Sequence, residues 1–478
     1  MGIDRAQKIH FSGICGTAMG AVAAALAESG VSVSGSDANV YPPMSDFLHH
    51  CQIKVSKGYA AENIPPDVDC VVVGNALSRG NPEVEAILNG RMRYVSLPEL
   101  MKEYFLRGKS NYVVTGTHGK TTTASLLAWI FETAGRNPSY MIGGLPRNFP
   151  SGAKFTDSTE VILEGDEYDT AFFDKRSKFL HYLPYCVIMN NIEFDHADIF
   201  RDIGEIKTSF SHLLRLVPSQ GLVLANADDP HCLELAAGSL AMVRRVGFGE
   251  DADERIEGVV YEVGSSSFQI GGVRYTIPLV GEFNVRNAAM ALAAARYAGI
   301  SEEAIHQAFA TFAGISRRQE VRGEVNGITV VDDFAHHPTA IRLAIECMHQ
   351  QYPGRRIWAL FEPRSNTTRR NVFQDALADA LSGADGVIVS KVVDFTRIPE
   401  SERLDPEAII SALGARQVEA YVASGAEEVL ARYLPKARAG DVVLVLSNGG
   451  FGGIHAMLLS ALQGVKQGED SGGRRALA

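Results

Sequence analysis

The chain has 478 residues, about three times the ~150-residue prior for one domain, so three domains, each with its own core, are expected. Hydrophobic residues make up 46% and charged residues 21%, which excludes a mainly disordered, collagenous or coiled-coil chain. Lys plus Arg (45) against Asp plus Glu (56) leaves a net charge of −11, which argues against a general nucleic-acid binder but leaves room for a phosphate pocket built from a few oriented donors.

The six cysteines, Cys15, Cys51, Cys70, Cys186, Cys232 and Cys347, are scattered, with no CxxC pair and no zinc-like spacing, and read as reduced structural thiols of a cytoplasmic protein. Met1 runs into a strand-like segment without a signal-peptide pattern, and no apolar run approaches ~18 residues, so neither export nor membrane contact is expected. Short apolar runs alternate with Ala-rich amphipathic stretches almost throughout, the pattern of parallel sheets covered by helices and hence of an α/β fold.

The first strand starts at Lys8 and runs into Gly13-Ile14-Cys15-Gly16-Thr17-Ala18-Met19-Gly20, with Asp37 about 20 residues on at the end of a second strand. Aligned to GxGxxG, the second glycine is Cys15 and the third is Ala18, so the loop can approach a diphosphate but does not read as a hydride-cofactor site. The pattern restarts at Asn111 and near Gly327, with linkers near Arg107–Ser110 and Gly314–Arg318, giving domains at 1–108, 109–316 and 317–478.

The strongest signal opens the second domain. A strand at Tyr112–Val114 leads into Thr115-Gly116-Thr117-His118-Gly119-Lys120-Thr121-Thr122 and a helix at Ala124–Thr133. Glycines let backbone N–H groups curl round a phosphate, Lys120 can reach β and γ oxygens, and Thr121 can ligate Mg²⁺, so the loop reads as a nucleoside-triphosphate site. Two further strands end in Glu164-Gly165-Asp166-Glu167 and in Asn190-Asn191-Ile192-Glu193-Phe194-Asp195-His196, where carboxylates and an imidazole could hold a cation against the phosphates. Within the second cluster Glu193 reads as a solvated turn residue.

Weaker signals follow: Glu282–Asn287, Gly314–Glu320 and Asp332–Pro338, which singly read as caps, solvated arginines or turns. Arg364, Ser365 and Asn366 follow a strand at Ile357–Phe361, and Asn448, Gly449 and Gly450 follow a strand at Val442–Leu446, which puts both sets at carboxyl ends, where ligands bind. From Gln467 the tail is polar and Gly-rich and reads as disordered.

Together, in this order and at these separations, the motifs resemble the Mur ligase family of ATP-dependent peptidoglycan-precursor ligases over nearly the whole chain. Glu164–Phe179, Asp332–Ala340, Glu362–Thr367 and Ser447–His455 carry a finer resemblance to members that attach a murein tripeptide. The resemblance implies a Rossmann-like N-terminal domain for the UDP-sugar, a P-loop-type central ATPase domain and a Rossmann-like C-terminal domain for the amino substrate. The implied activity is amide formation between UDP-N-acetylmuramate and the tripeptide through an acyl phosphate, with Mg²⁺ and ATP; attachment of L-alanine is the alternative.

By motif match, Gly13, Cys15, Gly16, Thr17, Ala18, Met19 and Asp37 would hold the UDP-sugar. Gly116, Thr117, His118, Gly119, Lys120, Thr121 and Thr122 would hold ATP phosphates, Asn287 would face adenine, and Arg318 and Asp333 would reach ATP from the interdomain side. Lys120, Glu164 and His196 would carry the chemistry, with Thr121, Glu164 and His196 as metal ligands; Arg364, Ser365, Asn366, Asn448, Gly449 and Gly450 would meet the tripeptide. Two positions depart from the family pattern: Phe283 stands where a His is usual, and Ser211 stands where several relatives carry a carbamylated Lys, with Lys207 nearby but out of register.

Overall fold

The protein is described here by a computed structural model covering residues 6–396 and 398–469. Three sheets follow one another along the chain. The first has five parallel strands in the order Lys54–Lys57, Ser32–Asp37, Lys8–Ser12, Cys70–Val73 and Tyr94–Ser96. Strand order reverses between Lys8–Ser12 and Cys70–Val73, the switch point at which open α/β sheets leave a crevice. Gly13 lies there at φ +90°, a left-handed conformation that favours glycine, while a Cβ would make only ordinary contact with the Gly74 backbone at 3.7 Å.

The second sheet has eight strands, and its order sets the chemistry. Ser110–Thr115 lies between Pro184–Met189 on one side and Glu160–Glu164 on the other, all parallel. These apolar runs are buried on both faces, as a helix-covered sheet requires. Their carboxyl ends therefore deliver the phosphate loop, the Glu164 motif and the Asn190–His196 segment to one edge. The helix after the loop spans Lys120–Thr133, one turn earlier than the sequence pattern indicates, because the Thr121–Thr123 run is buried in the first turn despite its poor helix propensity. A three-stranded antiparallel meander, Glu257–Glu262, Ser265–Ile270 and Val273–Ile277, interrupts the expected strand–helix alternation.

The third sheet has six strands in the order Glu320–Val325, Ile328–Asp333, Val442–Leu446, Ile357–Phe361, Gly386–Ser390 and Glu419–Ala423, with only the first antiparallel to its neighbour. The C-terminal helix runs Ile454–Glu469, so the polar tail expected from Gln467 begins inside a helix that already accommodates Gly464 and Gly468, and 470–478 lie outside the described residues. A hairpin, Asp169–Ala171 with Asp174–Ser177, carries Phe172 and Phe173 at its tip onto the N-terminal domain, where Phe173 meets the Tyr94 ring at 4.8 Å. No described helix is long and apolar enough to cross a membrane.

Candidate active site

A cleft of about 1180 Å³ opens between the second and third sheets, walled by the phosphate loop, the Glu164 motif, the Asn190–His196 segment and the loops after Asp333 and Phe361. Two glycines let the phosphate loop fold. Gly116 (φ +131°) would put a Cβ 3.0 Å from Asn191 N, and Gly119 (φ +81°) would put one 2.3 Å from Asn287 Oδ1. Neither position admits a side chain, and Gly119 caps the helix whose N-terminus faces the cleft.

Lys120, the first residue of that helix, folds back across the loop. Its Nζ donates to Gly116 O (2.7 Å) and to Glu167 Oε2 (2.8 Å). Burial alone would lower its pKa, but Glu167, Asp166 and Glu164 outweigh that and hold it above the ordinary lysine value. Glu167 in turn meets His196 Nε2 through its other oxygen at 3.1 Å. Burial pushes this carboxyl up, yet Lys120 and His196 pull it down to about 2, while the same contact raises His196 against the opposing effect of burial. Glu167 is thus a buried carboxylate held between Lys120 and His196. The sequence offered it only as one of the three acids in Glu164-Gly165-Asp166-Glu167, and nothing local marks it out: its partner His196 lies 29 residues away, on the far side of the phosphate-loop strand.

Thr121 Oγ1 donates to Glu164 Oε1 at 2.8 Å, and Gly143 N donates to Glu164 Oε2 at 2.6 Å. Burial and the neighbouring Asp166 hold Glu164 above the usual carboxylate range. Arg318 reaches the same place from beyond the domain boundary, with Nη2 3.5 Å from Thr121 Oγ1 and its guanidinium 4.8 Å from the Phe334 ring. Asp333 is fully engaged by backbone: Gln319 N and Ala335 N donate to its two oxygens at 2.9 and 2.7 Å. It therefore braces the loop that carries Arg318. Asn287 lies under Gly119 and 3.5 Å from Asn190, with its Nδ2 buried and without a hydrogen-bond partner among the described residues.

Glu193 is not a solvated turn residue. Its Oε2 accepts from Thr339 Oγ1 at 2.6 Å and lies 3.4 Å from His118 Nε2, and these contacts help hold its carboxyl at about 2 against burial. The sequence reading failed because Thr339 lies 146 residues away in another domain.

The residues expected to meet an amino substrate divide. Arg364 lines the cleft with 58% of its side chain exposed and only a loose 3.8 Å approach to Glu362. Ser365 Oγ is occupied by Thr368, whose N–H donates to it at 3.1 Å. Both ends of the Asn366 amide are in use, one on Asp198 Oδ2 (2.7 Å) and the other on Arg369 (2.6 Å). Asn448 lines the cleft and keeps a buried Oδ1 without a hydrogen-bond partner among the described residues. Gly449 and Gly450 do not line it; a Cβ on Gly449 would sit 2.4 Å from Arg364 Cδ, so that glycine makes room for the arginine.

None of Gly13, Cys15, Gly16, Thr17, Ala18, Met19 and Asp37 lines this cleft; they gather at the switch point of the first sheet. Asp37 accepts from Cys15 N (3.0 Å) and Asn39 N (2.9 Å), bracing the glycine loop, and the buried Met19 packs beneath it. Lys207 pairs with Glu234, away from the cleft.

Family models match the chain in three successive blocks: Mur ligase family, catalytic domain, over residues 8–108; Mur ligase middle domain over 114–295; and Mur ligase, glutamate ligase domain, over 317–449. The chain is 42% identical over 462 residues, 95% of itself and 98% of the relative, to the UDP-N-acetylmuramate--L-alanyl-gamma-D-glutamyl-meso-2,6-diaminoheptandioate ligase of Escherichia coli (strain K12). It is 30% identical over 466 residues, 96% of itself and 98% of the relative, to a UDP-N-acetylmuramate--L-alanine ligase of Clostridium acetobutylicum. Among solved structures, a murein peptide ligase from Psychrobacter arcticus 273-4 superposes with a TM-score of 0.71 at 35% identity, over 98% of this chain and all of that one.

Proposed function

The chain belongs to the Mur ligase family, and from that premise we propose that it joins L-alanyl-γ-D-glutamyl-meso-diaminopimelate to UDP-N-acetylmuramate at the expense of ATP, in the recycling of peptidoglycan. The observation that carries this reading is the convergence of Lys120, the Thr121–Glu164 pair and the Glu167–His196 pair on one cleft, in a chain that matches a tripeptide ligase from end to end. The identity to the tripeptide enzyme exceeds that to the L-alanine enzyme by 42% to 30% at equal coverage, which favours the larger amine. ATP and nucleotide-linked sugars are cytoplasmic metabolites, so the reaction belongs in the cytoplasm.

The chemical problem is that a carboxylate is inert to amines. Transfer of the γ-phosphoryl group of ATP to an oxygen of the lactyl carboxylate breaks the β,γ bond, releases ADP and gives an acyl phosphate. The amine then adds to the acyl carbon, and inorganic phosphate leaves as the amide forms. Lys120 serves the first step: when triphosphate enters, its ammonium can turn from Gly116 O to a phosphate oxygen while Glu167 keeps it oriented.

Thr121 and Glu164 are the residues that would hold one Mg²⁺, and His196 would help to hold a second. The fit is chemical: a hydroxyl and a carboxylate already 2.8 Å apart supply hard oxygen donors, with Asp166 also on the cleft wall. Mg²⁺ would supply charge neutralisation at the crowded phosphates. Glu167 keeps His196 turned toward the site from the other side. Arg318 adds a fixed positive charge beside Thr121. His336, on the cleft wall, is kept neutral by burial and can accept the proton the amine sheds.

The test is phosphate release from ATP with Mg²⁺ and UDP-N-acetylmuramate, comparing the free tripeptide with L-alanine. Release with the tripeptide is expected; release with L-alanine alone replaces this reading by the L-alanine ligase.

A further inference from the structure

The segment Ile192–Asp198, which presents His196, is gripped from two sides. On its own domain, Glu193 N donates to Thr117 Oγ1 at 2.9 Å, and that hydroxyl reaches back to Glu193 O at 3.2 Å, tying the segment to the phosphate loop. From the C-terminal domain, Thr339 Oγ1 donates to Glu193 Oε2 (2.6 Å), His337 Nε2 donates to Phe194 O (3.1 Å), Thr367 Oγ1 accepts from Ala197 N (3.3 Å) and Asn366 Nδ2 donates to Asp198 (2.7 Å). Phe373 closes the contact, with its ring 4.7 Å from His337 and 6.3 Å from Phe194.

Glu193 is where the two grips meet, since one carboxylate faces both His118 of the phosphate loop and Thr339 in the first turn of the helix Pro338–Gln351. His118, Glu193 and His337 have ligand-type atoms all within 4.8 Å of one another, which invites a cation. The ring nitrogens of His337 are already in use, however: Nε2 donates to Phe194 O and Nδ1 accepts the Thr339 N–H at 3.3 Å as the helix cap. The cluster reads as a hydrogen-bonded clamp.

We propose that Thr339 is a positioning residue for phosphoryl transfer: by holding Glu193, its hydroxyl registers the docked C-terminal domain against the phosphate loop and against the segment carrying His196. The domain that brings the amine thereby also completes the site that activates the acid, so activation is tied to the presence of its acceptor domain. The bond is short, charge-assisted and partly buried, the kind whose loss is felt. Thr367 and Asn366 follow the strand Ile357–Phe361 in the same loop as Arg364, so the expected amine-binding loop is part of the grip.

The proposal goes beyond the ligase reading, and only its kinetic arm rests on that reading. Hydrogen exchange of the full chain with Mg²⁺ and a non-hydrolysable ATP analogue is compared for wild type, Thr339→Val and Thr339→Ser. Valine should speed exchange in 116–119 and 192–198 by about tenfold or more, as expected for one lost charge-assisted hydrogen bond, and leave 8–108 unchanged. Serine, which keeps the hydroxyl, should restore protection.

In turnover, valine should lower kcat with KM for UDP-N-acetylmuramate unchanged, and serine should recover it; a merely structural threonine would not give that split. Wild-type exchange in the valine variant, or equal losses in valine and serine, overturns the proposal. If valine melts the whole chain, Glu193→Ala, which removes the acceptor of the same bond, must give the same local pattern, and its failure to do so overturns the proposal equally. A wild type that ligates nothing refutes the ligase reading, while the exchange pattern still decides the clamp.

Discussion

The two walls of the cleft are built on opposite plans. On the middle-domain wall each charge is already answered: Lys120 by Glu167, Glu167 by His196, Glu164 by Thr121 and a backbone N–H. On the C-terminal wall Arg364 projects with more than half of its side chain exposed and Asn448 keeps an oxygen without a hydrogen-bond partner among the described residues. The difference matches what each wall must do. Phosphoryl transfer gains from charges fixed in advance, because a preorganised site spends nothing on reorientation at the moment of reaction. Recognition of a flexible peptide gains from groups whose partners arrive with it.

The comparison breaks first, and hardest, at Lys120. Removing its ammonium with Lys120→Ala strips the developing phosphate charge of the phosphate loop's own cation and should cut ligation by about 10²–10³-fold or more. Binding of UDP-N-acetylmuramate, measured calorimetrically, should stay near wild type, because the glycine loop at Gly13 lies on another sheet. Ligation at the wild-type rate, or lost sugar binding in a folded variant, would collapse the distinction between the walls.

Glu167 sharpens it. Glu167→Gln keeps the shape but leaves Lys120 and His196 facing each other without the anion between them, so turnover should fall by about 10²-fold. NMR titration should show the His196 pKa dropping, since the Glu167 contact is what raises it. Glu164→Ala and His196→Ala should raise the Mg²⁺ requirement in the same assays. Glu205→Ala is the proper comparison: Glu205 sits in the first turn of the helix Ile203–Leu214, its carboxylate paired among the described residues only with Arg201. Equal effects at Glu205 would mean that a structural acid cluster has been mistaken for a site. Glu193 cannot serve as that neutral position, because it is held by Thr339 and His118.

On the open wall, Arg364→Ala should weaken use of the tripeptide by about 1.5–3 kcal/mol, the worth of a charged hydrogen bond, with KM for ATP unchanged. Because Arg364 spends so little on Glu362, its loss should cost almost nothing in melting temperature. A large drop in stability with unchanged peptide use would recast Arg364 as a packing residue over Gly449.

The same contrast explains what could be read from the sequence. The phosphate loop was legible because strand, glycines, Lys120, Thr121 and helix are consecutive, so every physical requirement shows in one short window. Glu164 was legible as the last residue of a buried strand. Glu167 and Glu193 were not: each earns its role from a partner that only the fold supplies, His196 across the phosphate-loop strand and Thr339 across the domain boundary. The meander at Glu257–Ile277 escaped because its first strand is exposed along nearly all its length and so lacks an apolar alternation. Ser365 and Asn366 line the cleft, but their side chains are not free, since turn and interdomain bonds use them.

The smallest expected effect concerns the clamp between the walls, and its sign follows from His337. Burial, helped by His118, lowers its pKa to about 4, against an ordinary value of 6.5. Between those values the unfolded chain binds a proton that the folded chain refuses, so this residue's contribution is intact above about pH 6.5 and is lost as the pH falls toward 4. The slope cannot exceed about 1.4 kcal/mol per pH unit for one proton. His336 acts in the same sense and His196 in the opposite one, so the total slope is not diagnostic. Glu193 and Asp195, both at about 2, hold their charge throughout this window. The difference between wild type and His337→Asn isolates the residue, because asparagine keeps an oxygen acceptor for the Thr339 N–H cap but has nothing to titrate. Wild type should melt higher at pH 7, having the extra bond to Phe194 O, and the gap should narrow as the pH is lowered to 5. A gap that stays constant would mean that His337 is protonated alike in both states and that the clamp between the walls is insensitive to pH.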